Sequence, residues 1–139
     1  MEITANALQT VATNQNVLFT DTAVKGNCSI LHRDGSGLVT LRGITDQCRA
    51  RYRITFGANV AIPAGGAVAP ISVAITINGE PVGPATMIST PAATEQFNNV
   101  FSSVFVDIPA GCCYTIGVRN VGTGDIEVQN ANLIAERVA

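Results

Sequence analysis

Phe97–Ile108 reads FNNVFSSVFVDI, and its two parities decide how the chain folds. One parity carries Phe97, Asn99, Phe101, Ser103, Phe105 and Asp107. The other carries Asn98, Val100, Ser102, Val104, Val106 and Ile108. Successive residues of a β-strand point to opposite faces. A strand here therefore places large apolar groups on both sides of its sheet. The chain shows no convincing helix to cover a second face. A second copy of the same chain is the simplest cover.

The neighbouring stretches are strands too. In Ile71–Ile77, Ile71, Val73, Ile75 and Ile77 share one face and Ser72, Ala74 and Thr76 the other, the period of a half-buried strand. Asn78-Gly79 follows, and both residues suit the positive φ of a two-residue hairpin turn. Val82–Thr90 returns as an edge strand marked by Pro81 and Pro84. Turn signals separate further strands at Ala7–Ala12, Asn16–Thr20, Ser29–His32, Leu38–Arg42, Arg49–Ile62 with a break near Gly57, Cys113–Asn120 and Asp125–Val138. The last shifts parity around Asn130–Asn132, which predicts a bulge. Pro63–Pro70 (PAGGAVAP) is a loop. Strands at this spacing without intervening helices predict an antiparallel β-sandwich or barrel.

The composition limits what the chain does. Its 139 residues are one domain's worth, read as one domain over 1–139 with residues 1–6 as a flexible or interface arm. The chain is 47% hydrophobic and only 13% charged, about half the usual charged share, which favours subunit contacts. A net charge of −2 offers no field for nucleic acid or an anionic membrane. No stretch approaches the roughly 20 apolar residues of a spanning helix. Met1–Ala12 contains Glu2 and lacks the basic and apolar regions of a signal peptide, so synthesis in a cytoplasm is expected.

Arg49, Arg51 and Arg53 alternate with Ala50, Tyr52 and Ile54. Tyr52, Ile54 and Phe56 then face a core, and three guanidinium groups line the opposite face. Three like charges about 7 Å apart repel unless water or carboxylates offset them. Glu127, Glu136 and Asp107 are the acids on neighbouring long strands. Two readings stand: a solvated strand face, or a polar network between subunits beside the Phe97–Phe105 seam, where the planar fork of arginine suits carboxylates.

Catalytic signatures are weak. His32 is the only histidine, beside Arg33-Asp34 and near Ser29 and Ser36, with no GxSxG motif. Gly35-Ser36-Gly37 and Gly65-Gly66 lack the strand-to-helix setting of a phosphate loop. Cys28, Cys48, Cys112 and Cys113 form no CxxC metal pair. No enzyme activity, cofactor or metal is expected.

The strand order and the stretches NVLFTDTAV, ITINGEPV, VFVDIPAG and VQNANLIAERVA resemble the tumour-necrosis-factor-like jelly roll. That superfamily includes complement globular heads and the heads of collagen-like spore-surface glycoproteins. The same stretches are similar to small proteins of gut Firmicutes and their bacteriophages. The resemblance implies an all-β, two-sheet antiparallel jelly-roll sandwich and a compact homotrimer. The first, last, Arg49–Ile62 and Gln96–Ile108 strands would form the interface sheet. Arg49, Arg51, Arg53, Phe97, Phe101, Phe105, Glu127 and Glu136 would line it. The fold also implies that Cys48 lies near Cys112 and Cys113 and is placed to form a disulfide with one of them. The expected role is a non-enzymatic structural protein on a bacteriophage virion surface, as capsid decoration or a fibre-like knob. The alternatives are a trimeric adhesin or lectin-like module for a host glycan or receptor, and a spore-surface-like head. Such a head normally carries a collagen-like stalk, which this sequence lacks.

Overall fold

The computed structural model describes residues 1–139 as eleven strands and no helix. They are β1 (Glu2–Ala5), β2 (Gln9–Val11), β3 (Asp21–Val24), β4 (Ile30–His32), β5 (Val39–Arg42), β6 (Arg49–Ala61), β7 (Ile71–Ile77), β8 (Glu80–Ser89), β9 (Asn98–Pro109), β10 (Cys113–Asn120) and β11 (Ile126–Arg137). One sheet runs β3-β1-β11-β6-β9, with β2 pairing β11 outside that path. The other runs β4-β5-β10-β7-β8. Every strand pair is antiparallel. This is the all-β, two-sheet jelly-roll sandwich that the strand order implies.

Alternation explains the core. On β6 every second residue from Ala50 to Val60 is buried, including Tyr52, Ile54 and Phe56. On β9 the inward parity buries Val100, Val106 and Ile108, while Val104 is partly covered. Facing them from the second sheet are Leu41, Val73, Ile75, Ile116 and Val118. Phe19 meets Phe56 edge-on, with ring centroids 6.2 Å apart and planes at 85°, a geometry that brings positive ring edge to negative face. The hydroxyl of Tyr52 donates to the carbonyl of Arg42 at 2.8 Å, so burying this ring leaves no polar orphan.

The turn chemistry is as read. Asn78 and Gly79 adopt φ of 51° and 85° and join β7 to β8, an edge strand. The register of β11 on β6 shifts between Gln129 and Asn132, and Asn130 has a φ of 55°, which is the bulge.

Four expectations need correction. Of the two readings of residues 1–6, a flexible or an interface arm, the flexible one falls away. Glu2–Ala5 pairs with β11 and β3, and Ile3 and Ala5 lie in the core. The expected first strand shortens to Gln9–Val11 because the chain bends after Ala5 and re-enters the ladder further along β11. Asn16–Thr20 makes only the isolated bridge Asn16↔Arg119, although Val17 and Phe19 are fully buried. The side chain of Gln9 bonds both the amide and the carbonyl of Leu18, and so satisfies backbone groups that a strand neighbour would otherwise pair. Finally, β6 runs unbroken through Gly57, because both of its ladders hold the backbone there. β7 is also more covered than alternation predicts. Ala74 and Thr76 are buried on its outward parity. Leu38 crosses that outer surface over Gly117, where a Cβ would stand 3.1 Å from Leu38 and 3.2 Å from the hydroxyl of Thr76.

Candidate functional site

The outer surface of the β3-β1-β11-β6-β9 sheet collects most of the residues singled out in the sequence. Because β6 and β9 pair with Arg51 opposite Asp107, Arg53 opposite Phe105 and Gly57 opposite Phe101, all of these side chains share one face. Phe97, Phe101 and Phe105 are 41%, 65% and 60% exposed. Nothing in the chain covers them. The Phe101 ring leans over Gly57, with Cδ2 3.9 Å from where a Cβ would stand. A glycine in mid-strand leaves room there for a close neighbour.

One end of this surface is ionic. Arg51 grips Asp107 with two bonds, Nε to Oδ1 at 2.7 Å and Nη2 to Oδ2 at 3.0 Å. Arg49 approaches the same carboxylate at 3.4 Å. Arg53 reaches across to Glu136, with Nε to Oε1 at 2.7 Å. The hydrogen bond from Arg51 holds the Asp107 carboxyl below the usual carboxylate range; desolvation opposes it, and the positive charges of Arg51 and Arg49 add smaller downward effects. The same hydrogen bond raises Arg51. Arg51 and Arg53 thus each have a carboxylate within the chain, while Arg49 shares that of Arg51, so three guanidinium groups meet two acids. Glu127 stands apart from the network. It sits opposite Ala61 and Thr10, whereas Glu136 sits opposite Arg53, so Glu127 lies at the other end of β11.

The far end is a chain of amides that the sequence reading missed. Asn99 donates to Asn59 at 3.4 Å, Asn59 to Asn130 at 3.2 Å, and Asn130 to Asn6 at 2.6 Å. Asn99 and Asn59 are direct register partners, which their parity shows once the strands are aligned. Asn130 joins them only through the bulge, which no alternation pattern positions in space. Between the two ends, Thr55 and Ser103 share a hydrogen bond of 3.1 Å.

The sequence also drew attention to thiols and to His32. All four cysteines are free and exposed. Cys48 does lie beside the Cys112–Cys113 turn, since the amide of Ala110 donates to its carbonyl at 3.1 Å and Arg49 is opposite Pro109. No bond joins them in this structure. Cys113 begins β10 opposite Arg42, in the other sheet, and Cys112 is held by the turn that gives its carbonyl to Gly43. The His32 side chain is wholly buried. Its Nε2 faces the Ser36 carbonyl at 3.0 Å, and its Nδ1 meets the Thr22 hydroxyl at 2.9 Å. That hydroxyl in turn lies 2.7 Å from the Asp34 carboxylate. The carboxylate thus orients the hydroxyl instead of the imidazole, and the second ring nitrogen is occupied by a carbonyl. This is a clasp between β3 and the loop after β4, without the order of groups that activates a nucleophile. No three His, Cys, Asp or Glu side chains are grouped to hold a metal. The end cavity of about 400 Å³ between Pro63–Pro70 and Asn120–Ile126 has Asp125 as its one titratable lining group.

No protein-family model and no curated protein sequence matches the chain. Solved structures do. The globular domain of the zebrafish complement 1qA protein is similar over 96% of this chain and 93% of its own, at 12% identity and a TM-score of 0.64. The Eiger TNF of S. frugiperda is similar over 100% of this chain and 92% of its own, at 14% identity and a TM-score of 0.65. At such identities the likeness concerns the backbone. The chain has the jelly-roll fold shared by complement globular heads and tumour-necrosis-factor-like proteins.

Proposed function

We propose that this chain is a non-enzymatic structural protein that assembles as a homotrimer through the outer surface of the β3-β1-β11-β6-β9 sheet. One observation carries the reading: Phe101 and Phe105 of β9 stand 65% and 60% exposed on one outer face, with Phe97 just before the strand at 41%, and Gly57 leaves room beside Phe101. Scattered exposed apolar residues are normal, but an aligned aromatic strip marks a contact surface. Each ring taken from water contributes roughly 1.5–3 kcal/mol before ordering costs are counted. The occupant is a second copy, because neutral amides flank the strip at one end and ion pairs closed within the chain at the other, where three arginines and two carboxylates leave a single positive charge and no strong field for a charged partner. The threefold stoichiometry follows the resemblance to the tumour-necrosis-factor-like superfamily.

The particle that displays the trimer is a bacteriophage virion, as capsid decoration or a fibre-like knob. That extension rests on the likeness of the quoted phrases to phage proteins. Finding the chain in purified virions supports it, and its absence from them removes it. For the assembly itself, the test is Phe101→Asp combined with Phe105→Asp. The variant is expected to sediment as a folded monomer with an unchanged β circular-dichroism spectrum. A variant that keeps the parent's mass contradicts the proposed surface.

A further inference from the structure

The clasp around His32 is built on three close polar contacts, and the groups that make them bring only two protons. The first contact joins Nε2 to the Ser36 carbonyl at 3.0 Å. That carbonyl also accepts from the amide of Phe19 at 3.3 Å, and it has no proton of its own to give. The second joins Nδ1 to the Thr22 hydroxyl at 2.9 Å, and the third joins that hydroxyl to the Asp34 carboxylate at 2.7 Å. A neutral imidazole has one N–H, a threonine hydroxyl has one proton, and an ionised carboxylate has none. With the ring proton on Nε2, the hydroxyl can serve Asp34 or Nδ1 and leaves the other facing it with lone pairs alone. With the ring proton on Nδ1, the gap moves to Nε2 and the Ser36 carbonyl. Water does not reach the ring to fill it, because the His32 side chain is wholly buried.

Of the two bases in the clasp, imidazole is the stronger. An ordinary histidine takes up a proton at about pH 6.5 and an ordinary aspartate at about pH 3.9. With both ring nitrogens protonated, every contact has one donor and one acceptor. Nε2 donates to Ser36, Nδ1 to Thr22, and Thr22 to Asp34. The buried cation then lies 3.9 Å from the carboxylate that balances it. The other charged groups of the surrounding elements are engaged elsewhere or wet. Lys25 lines the cavity beside the ring and is exposed, and the Met1 amine, in the same lining, donates to the Ala135 carbonyl at 2.7 Å. Arg33 is exposed, Asp21 accepts from Thr20, and Glu2 accepts from Asn132. On the other side, β5 places Val39 opposite His32.

We infer that the clasp is a proton-binding site, closed with His32 as an imidazolium and loosened when that proton leaves. β3 and β4 are end strands of the two sheets, so the clasp ties the sandwich together along one open side. The closed form holds a proton that the open form does not need. Falling pH therefore favours closure, and rising pH favours opening. The site uses none of the residues on the aromatic strip, so it stands whether or not the chain trimerises.

His32 is the only histidine, so its ring nitrogens give a single pair of signals in isotopically labelled protein. A pH titration of their chemical shifts is the test. The parent ring is expected to keep both protons to a pH at which free imidazole is neutral, with the amides of residues 22 and 34–36 moving in the same transition. Asp34→Asn sharpens the result, and the 67% exposure of that side chain spares the fold. Its amide can donate to the Thr22 hydroxyl, which then donates to Nδ1, so the variant supplies the third proton itself. It is expected to keep the clasp shut around a neutral ring, and to hold the second ring proton roughly tenfold more weakly than the parent. Thr22→Val breaks the chain and is expected to abolish the coupled amide shifts. A parent ring that is neutral wherever free imidazole is neutral, or an Asp34→Asn ring that titrates as the parent does, would overturn the inference.

Discussion

The two faces of β9 are built from the same twelve residues and have opposite fates. Inward, Val100, Val106 and Ile108 sit in the core against the second sheet. Outward, Phe101 and Phe105 carry larger side chains and remain 65% and 60% exposed. Side-chain size and hydrophobicity therefore do not decide burial within the chain. Position relative to the partner sheet does. The inner face is finished by folding, and the outer face stays open in the single chain.

This contrast sets an order of expected effects. The largest belong to the inner face. Tyr52→Ala removes a fully buried ring whose hydroxyl caps the Arg42 carbonyl, and is expected to cost about 3–5 kcal/mol. Thermal or denaturant unfolding checks it, and a loss below about 1 kcal/mol would mean the core is not organised around β6. Outward substitutions are expected to act on association and spare the fold. Changing Phe101, Phe105 and Phe97 singly to Ser should loosen the assembly in that order, following their exposure. Sedimentation over a dilution series measures the ranking. Equal effects from all three would show that the strip is not a graded seam.

Smaller effects test the frame that holds the two faces apart. Asn78→Val places a β-branched residue at φ 51° and removes the acceptor for the Thr115 amide, 2.9 Å away. A loss of roughly 1–3 kcal/mol is expected, with β7 and β8 still paired. The smallest concerns Asp107. Its carboxyl is held low by Arg51, so the pair contributes stability above the ordinary carboxylate pKa of about 3.9 and loses it as pH falls through the depressed folded value. Asp107→Asn should therefore lower the melting temperature slightly at pH 7 and make no difference once both carboxyl states are protonated. A penalty that persists unchanged at low pH would show that the ion pair is not its source.

Much of this was legible from residues alone. Parity placed Tyr52, Ile54 and Phe56 inside and the arginines outside, and Asn78-Gly79 located a hairpin, because alternation and turn conformation are local properties. The partners of the arginines were only half legible. Asp107 and Glu136 meet them because register brings them opposite, while Glu127 is removed to the other end of the same strand by that register. Glu2–Ala5 was not read as a strand since four residues give too short a pattern, and its place beside β11 is a long-range pairing. The Asn99–Asn59–Asn130–Asn6 chain needed the bulge to exist in three dimensions. The three contacts of the His32 clasp gave no signal in sequence, since Thr22, Asp34 and Ser36 meet the ring only in the packed molecule.

The mass of the unmodified protein in dilute solution, by light scattering across a range of concentrations, tests the account most directly. A value near three times 14.4 kDa, held on dilution, is predicted. A single species of 14.4 kDa would mean that the aromatic face lives in water, and would contradict it.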